Sequence, residues 1–369
     1  MALTFWDGFD EYSTAQISRY WTIVTYQNGP ANNVLFATTN ASNSVQTGPS
    51  FGRNSTNGMV TADSQPIISA YHQFPATTTT ATVGFAFQWG SIDLRQIIMA
   101  FAIPKPTAPA QFFPNTLVGI ALTSVGAIQL VTAGIGTDIG GHVDYSHIVA
   151  TSTFEMIQAT WYYIEVAYDT VAGSLEVRVN GQMWLTSTDI SLQTDPLLGF
   201  MLGMTYNGGQ HFYYDDVRCS DDTTFLGDCR VCTLLPEDDG PTVDWTRGGT
   251  DTGFNFSQVN ENPADDGVTY VFTVTVGKID LYDFPPLPIV TGEVLGVETV
   301  IVADNDTSGV TTIQAWLSST GTTAGGATLS PTSGAFIAFI DVWLTDPHTS
   351  AQWDIAGVNA AFFGEKRLS

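Results

Sequence analysis

The sequence predicts an all-β protein built as two sandwiches in series, and three observations carry that prediction. Short stretches of alternating apolar residues recur along the chain, each bounded by Gly, Pro, Asn or Asp. No segment before residue 345 shows a 3.6-residue apolar period, which removes nucleotide-binding α/β folds and (β/α) barrels. Charged residues are only 13% of the 369, well below the roughly 25% of an average globular chain. Thr, Ser, Asn and Gly fill the gap, a mix that suits sheet faces and turns better than helices.

The opening, "MALTFWDGFDEYSTAQ", has neither a charged start nor a long apolar stretch. That argues against a cleaved signal peptide and for synthesis in a cytoplasm. Strands are then expected in "TATVGFAFQWG", "RQIIMAFAIP", "LVGIALTSV", "AIQLVTAG" and "WYYIEVAYD". The longest nearly unbroken apolar run, "IIMAFAIP", is too short to cross a bilayer, so no membrane insertion is expected. In "AGSLEVRVNGQMWLT", Leu175, Val177 and Val179 alternate with Glu176, Arg178 and Asn180, the period of a half-buried strand. Asn180-Gly181 then supplies the positive φ angles of a two-residue hairpin turn.

"LLGFMLGM" and "HFYYDDVRC" complete a first domain over 1–236. "LLPEDDGPTVDW" stacks prolines, acids and a glycine, and reads as an exposed hinge at 237–242. The second domain, 243–369, should be a smaller β-sandwich with strands in "TYVFTVTVGKIDLYDF", "VETVIVAD", "TTIQAWLSS" and "FIAFIDVWLTD". A short terminal helix is expected in "SAQWDIAGVNAAFFG", ended by Gly364 as its cap.

Acids outnumber bases 36 to 11, a formal charge of −25. No segment gathers a Lys/Arg patch, so binding to nucleic-acid phosphates is not expected, and an anionic membrane would repel the chain. Up to Pro236 there are 18 acids and 7 bases, and beyond it 18 and 4, so the shorter second part is the more acidic.

Catalytic chemistry finds little support. Glycoside hydrolysis needs two carboxyl groups facing one cleft, and the nearest pair is Glu165 with Asp169, the latter opening the turn "DTVAG". Glu165 is expected to face outward from its strand. There is no Gly-x-Ser-x-Gly, and the five histidines, His72, His142, His147, His211 and His348, are scattered. No enzyme activity is expected. Cys219, Cys229 and Cys232 fall close together in "CSDDTTFLGDCRVC". They read as reduced thiols, as a bridge from Cys219 to Cys229 or Cys232, or as a zinc site completed by His211. At least one thiol is expected to be free or to contact another chain, and no metal to be needed for folding.

No cofactor is expected, although structural calcium stays open at Asp304, Asp238–Gly240, Asp265–Gly267 or Asp215-Asp216, none of which has EF-hand spacing. The sequons at Asn40, Asn54, Asn255 and Asn305 are what so Asn/Ser/Thr-rich a chain holds by chance. In "GMTYNGGQHFYYDD", Tyr206, Asn207, His211 and Tyr213 are candidate glycan contacts, with Phe212 and Tyr214 alternating as core.

The order "WYYIEVAYD", turn, "GSLEVRVNG", "LGFMLG", "FYYDDVRC" resembles a laminin-G-like or concanavalin-like jelly roll. More narrowly it is similar to versions found in structural proteins of tailed bacteriophages and prophages. The phrases "DGFDEYS...ISRYW" and "TTFLGDCRV", and the stretch "DVWLTDPHTSAQWDIAGVNAAFFG", carry that likeness. The resemblance implies a non-enzymatic part on the exterior of a virion: tail fibre, baseplate or tail tip, or alternatively a capsid decoration or head fibre. It implies as partners other virion proteins and copies of this chain, with a homotrimer expected. A glycan-binding adhesin that meets host-surface sugar through jelly-roll loops is the alternative from another class. The cysteines stand where the resemblance leads one to expect small or aliphatic residues.

Overall fold

The computed structural model describes residues 3–26, 45–48, 52–53, 58–62, 67–103, 116–134, 147–190, 196–205, 211–250, 253–305 and 311–369, apart from positions 11, 14, 76, 91, 93, 94 and 189. It is all-β, and it divides into two compact units, Met1–Val231 and Cys232–Ser369. The division falls earlier in the chain than the expected boundary. The stretch read as a hinge belongs to a strand, Asp238–Val243, whose Asp238 and Asp239 pair with Asp283 and Tyr282. Proline and acids advertise a linker, but here the Pro-bearing strand lies at the edge of its sheet, where a missing N–H costs no ladder bond. Among the described residues no helix is long and apolar enough to cross a membrane.

The first unit consists of two antiparallel sheets. One runs, in spatial order, Gln182–Ser187, Ser174–Val179, Tyr162–Asp169, Thr80–Trp89, His211–Ser220, Gly58–Ala62, Val45–Gly48, with Leu3–Asp7 also pairing along His211–Ser220. The other runs His147–Glu155, Ala127–Gly134, Thr116–Leu122, Gln96–Ile103, Gly199–Thr205, Ile67–Gln73, Thr22–Tyr26. Neighbours distant in sequence and a core shared by both sheets make this the expected jelly-roll sandwich. Phe85, Phe87, Ile164, Val166, Phe212 and Tyr214 of the first sheet belong to one buried cluster with Phe101, Ile120, Leu130 and Phe200 of the second. The hairpin forms as its turn chemistry demands: Ser174–Val179 and Gln182–Ser187 are joined at Asn180 and Gly181, with φ of 48° and 77°.

The second unit has a five-stranded antiparallel sheet ordered Asp238–Val243, Ile279–Asp283, Ala361–Arg367, Ile313–Ser319, Thr322–Leu329. Two two-stranded sheets accompany it, Thr246–Gly249 with Thr269–Phe272 and Val297–Ala303 with Ile337–Trp343. Leu317 and Phe363 of the large sheet pack with Trp343 and Trp353, while Val297 and Ile301 cover them from the last small sheet. The terminal helix is a single short one, Ile355–Asn359, with Asp354 as its N-cap accepting from Gly357 N at 2.6 Å. Gly364 is not its cap. It lies inside the strand Ala361–Arg367, where an added Cβ would stand 2.0 Å from Asp280 O. The glycine answers to a close strand neighbour rather than to a helix end.

Candidate functional site

The candidate residues His211, Tyr213, Cys219, Cys229 and Cys232 lie on the strand His211–Ser220 or on the segment that follows it. Phe212 and Tyr214 point into the core, and so do Val217 and Cys219, so the inward phase changes from even to odd positions. The change is made at Asp215-Asp216, where the pairing with Thr80–Trp89 shifts register and Asp216 takes φ of 50°. This is a β-bulge, and it sets both aspartates and Arg218 among groups outside the core.

That outer face is covered by the chain from Asp221 to Val231, which has no regular structure and is held by side chains of the sheet. Thr80 and Thr82 donate from Oγ1 to Asp221 O and Asp222 O, each at 2.7 Å. Glu165 Oε1 accepts from Leu226 N at 2.8 Å, from Gly227 N at 3.1 Å and from Arg218 Nη2. Asp216 Oδ1 accepts from Val231 N at 2.9 Å, and Asp216 Oδ2 meets Arg53 Nη2 at 2.8 Å. Arg53 in turn donates to Asp228 Oδ1 at 2.7 Å and Cys229 O at 2.9 Å, while its own N–H goes to Asp215 Oδ2 at 2.7 Å.

Glu165 therefore does not face solvent. Its side chain is 1% exposed and ion-paired with an Arg218 that is 2% exposed. Strand alternation predicted the face correctly but not the cover. Between the two charged residues, on the intervening strand, sits Gly84, opposite Glu165 on one side and Arg218 on the other. A Cβ there would stand 2.9 Å from Tyr163 Oη and 3.0 Å from Arg218 Nε, so the glycine opens the lane through which arginine reaches glutamate. Asp169, the other member of the acid pair, accepts from Val171 N and Ala172 N and shapes its turn. Both carboxylates accept from backbone N–H groups and hold the chain.

None of the three cysteines is in a disulfide. Cys219 belongs to the core between the sheets, where burial pushes its thiol up to about 12. Cys229 lies beside Tyr163 and Arg218 on the outer face; burial raises its thiol too, against the pull of the Arg218 cation. The sheet separates these two sulfurs, so the bridge considered between Cys219 and Cys229 is not formed. Cys232 is exposed. His211 begins the strand and Cys219 nearly ends it, a separation of about 26 Å at the usual rise, too far to share a zinc ion. Protonated thiols of this kind are poor nucleophiles and poor metal ligands.

Tyr206 and Asn207, two of the candidate glycan contacts, lie outside the described residues, as does His142. The other two form a pair: His211 is exposed, Tyr213 half-buried, and their rings stack with centroids 6.2 Å apart. Phe212 and Tyr214 are fully buried, and Tyr214 donates its hydroxyl to Ile98 O at 2.8 Å.

Several of the aspartates considered for calcium accept from backbone N–H groups. Asp304 Oδ1 accepts from Asn305 N, Gly334 N and Ala335 N, Asp239 from Phe256 N, and Asp265 from Thr269 N. Among the described residues no group of three or more His, Cys, Asp or Glu gathers as a metal site. Of the sequons, Asn255 is buried and donates to Trp245 O and Asp280 Oδ2, Asn305 is buried, and Asn40 and Asn54 lie outside the described residues.

Sequence reasoning missed two polar centres. In the first unit Asp7 accepts from Phe9 N at 2.6 Å, and from Tyr12 Oη and Trp21 Nε1 at 2.5 Å each. Burial nevertheless raises its carboxyl to about 6. The opening phrase "DGFDEYS...ISRYW" is thus one aspartate with the aromatic groups it tethers. In the second unit Tyr282 donates to Glu365 Oε1 at 2.7 Å and lies 3.4 Å from Asp280 Oδ2. Burial, with Asp280 nearby, raises the Glu365 carboxyl to about 8. Nothing in the spacing of residues 280 and 365 announces that pair, since only strand pairing joins them.

No family model and no curated protein matches the chain. Among solved structures it is similar to a Trypanosoma rangeli sialidase, at 8% identity and a TM-score of 0.34 over 55% of this chain and 30% of that one. It is similar also to an alginate lyase from Pseudomonas aeruginosa, at 14% identity and a TM-score of 0.35 over 55% of this chain and 98% of that one. A heptameric pentraxin from Limulus polyphemus matches at 12% identity and a TM-score of 0.31, over 44% and 74% of the two chains.

Proposed function

We propose that the chain is a non-enzymatic structural part of a tailed-bacteriophage particle, carried on the tail fibre, baseplate or tail tip. The observation that supports this reading is the fate of the acids in the phrases that resemble such proteins. Asp7, Asp215 and Asp216, together with Glu165, are buried and hold backbone, hydroxyl and cationic groups of their own unit. A part that must stay folded on a particle exterior gains from such internal ties, whereas a hydrolase needs its carboxylates aimed at a substrate. Fold by itself does not decide the matter.

The test is immunogold labelling of purified particles. Label at the tail supports the reading, label spread over the shell moves the protein to the decoration or head-fibre role, and particles without label remove both. Polysaccharide cleavage by the purified chain, abolished in Glu165→Gln, would overturn the non-enzymatic part. A second reading, a glycan-binding adhesin, is favoured by the stacked His211 and Tyr213 at the exposed start of their strand. Loss of glycan-array binding on Tyr213→Ala, with folding unchanged, would support it.

A further inference from the structure

The segment 221–231 is held by a different kind of bond from the sheets it covers. None of its residues is fully buried and none joins the core between the sheets, whereas Ser220, where the preceding strand ends, is fully enclosed. Its attachments run from side chains of the sandwich to its own backbone. Thr80 and Thr82 hold the carbonyls of Asp221 and Asp222, Glu165 the N–H groups of Leu226 and Gly227, Arg53 the Cys229 carbonyl, and Asp216 the Val231 N–H. Around these ties the Arg178 guanidinium stands 4.0 Å over the Phe225 ring, and Val231 sits on Gly8. Lifting the segment therefore breaks polar ties and uncovers no apolar core. It also returns water to charges that closure keeps dry. Glu165 Oε2 and Arg218 Nε and Nη1 lie buried beneath it with no hydrogen-bond partner of good geometry among the described residues. Hydration on opening supplies those partners and offsets part of the ties lost.

The same segment is the chain's route out of the sandwich. Val231 is the last residue of the first unit and Cys232 the first of the second. A pull at Cys232 meets the ties in series, Val231 first and Asp221 last, so they never share the load. We propose that 221–231 is a releasable clasp, which opens as one segment while both sheets stay folded and lets out the chain between the two units. Released, it reaches up to roughly 35 Å. Openings short of global unfolding belong to the parts of a fold that have few buried apolar contacts, and 221–231 is such a part. The clasp follows from these ties alone and does not depend on where the protein is carried.

The three cysteines report on it in the full chain. Cys232 is exposed, Cys229 turns in beside Tyr163 and Arg218, and Cys219 is in the core. Labelling with iodoacetamide in the absence of denaturant, read by peptide mass spectrometry, should run in three steps. Cys232 reacts first, Cys229 follows in step with hydrogen exchange of 221–231, and Cys219 reacts only with exchange of the strands Thr80–Trp89 and Tyr162–Asp169. Cys229 reacting together with Cys219 overturns the proposal, since the segment then opens only when the sandwich unfolds. Cys229 reacting as fast as Cys232, with 221–231 unprotected, overturns it as well, since nothing is then clasped. Arg53→Gln removes the ties to Cys229 O, Asp228 and Asp216, and should speed Cys229 at least about tenfold with Cys219 unmoved. Where that variant loosens the whole sandwich, Asp216→Asn takes its place. Asparagine accepts the φ of 50° and keeps an acceptor for Val231, while the charge facing Arg53 is gone. Cys229 should again quicken alone, by less. Equal quickening of Cys219 in Asp216→Asn, or no response of Cys229 in either variant, removes the clasp.

Discussion

The two units solve burial in opposite ways. In the first, two large sheets enclose one core and the back of one sheet is sealed by a segment tied down with Glu165, Asp216 and Arg53. In the second, a small core around Leu317, Trp343, Trp353 and Phe363 leaves a two-stranded sheet with a row of apolar side chains in solvent. Val297–Ala303 and Ile337–Trp343 are likewise half-exposed along nearly their whole length. The first unit closes on itself through buried charge. The second is closed incompletely.

Removing Arg218 should break this contrast most severely. Arg218→Met leaves Glu165 buried with only two N–H groups against it, and losing one partner of a buried pair costs about 3–5 kcal/mol. Denaturation followed by peptide-resolved hydrogen exchange should show the first unit weakened, with 221–231 exchanging first and the second unit unchanged. Replacing both residues, as Arg218→Met with Glu165→Leu, should recover part of the loss. Equal weakening of both units would show that they do not fold separately.

Next comes pH, which should act on the second unit through Glu365. Its folded value near 8 lies above the 4.5 of the free group, so its proton favours the folded unit. That contribution is complete below the unfolded value and is lost as pH rises through the folded one, with a slope of at most about 1.4 kcal/mol per pH unit. Melting of the second unit measured from pH 5 to 9 should fall across this window, and Glu365→Gln, permanently neutral, should flatten it. A melting curve that keeps its slope in Glu365→Gln would assign the dependence to other groups.

Gly84→Ala is the finer test of the same sealed face in the first unit. The added Cβ meets the Tyr163 hydroxyl and the Arg218 guanidinium, and overpacking of this kind costs about 1–3 kcal/mol. Tyr163→Phe removes the nearer of the two atoms and should relieve part of the cost in the double variant. An alanine without effect would mean that the Glu165–Arg218 lane is wider than these distances.

What the sequence could reveal follows from the range of each signal. The Asn180-Gly181 hairpin was legible because its cause is local: two residues that accept positive φ between alternating strands. The core roles of Phe212 and Tyr214 were legible for the same reason. The change of phase at Asp215-Asp216 was not, since a bulge is set by the partner strand. Glu165 was misjudged because alternation assigns a residue to a face and is silent on whether distant chain covers that face. Gly364 was misread because a glycine after a helix and a glycine in a crowded strand look alike until Asp280 is placed beside it. The Glu365 and Asp280 pairing, 85 residues apart, depends on the order of strands in a sheet.

The smallest expected effect concerns the one α-helix among the described residues of the second unit. Ile355–Asn359 is too short to persist by propensity, so its start at Asp354 matters more than its length. The Asp354 carboxylate accepts from Gly357 N at 2.6 Å, and the turn it fixes delivers Val358 to the core beside Trp353 and Phe363. Asp354→Ala removes the acceptor and should cost about 1 kcal/mol, while Asp354→Asn, which keeps a capping oxygen, should restore most of it. The loss should appear in the melting of the second unit and in exchange at residues 355–359, with the first unit unmoved. Should alanine and asparagine behave alike, the cap would be dispensable, and packing of Trp353 alone would hold this end of the smaller core.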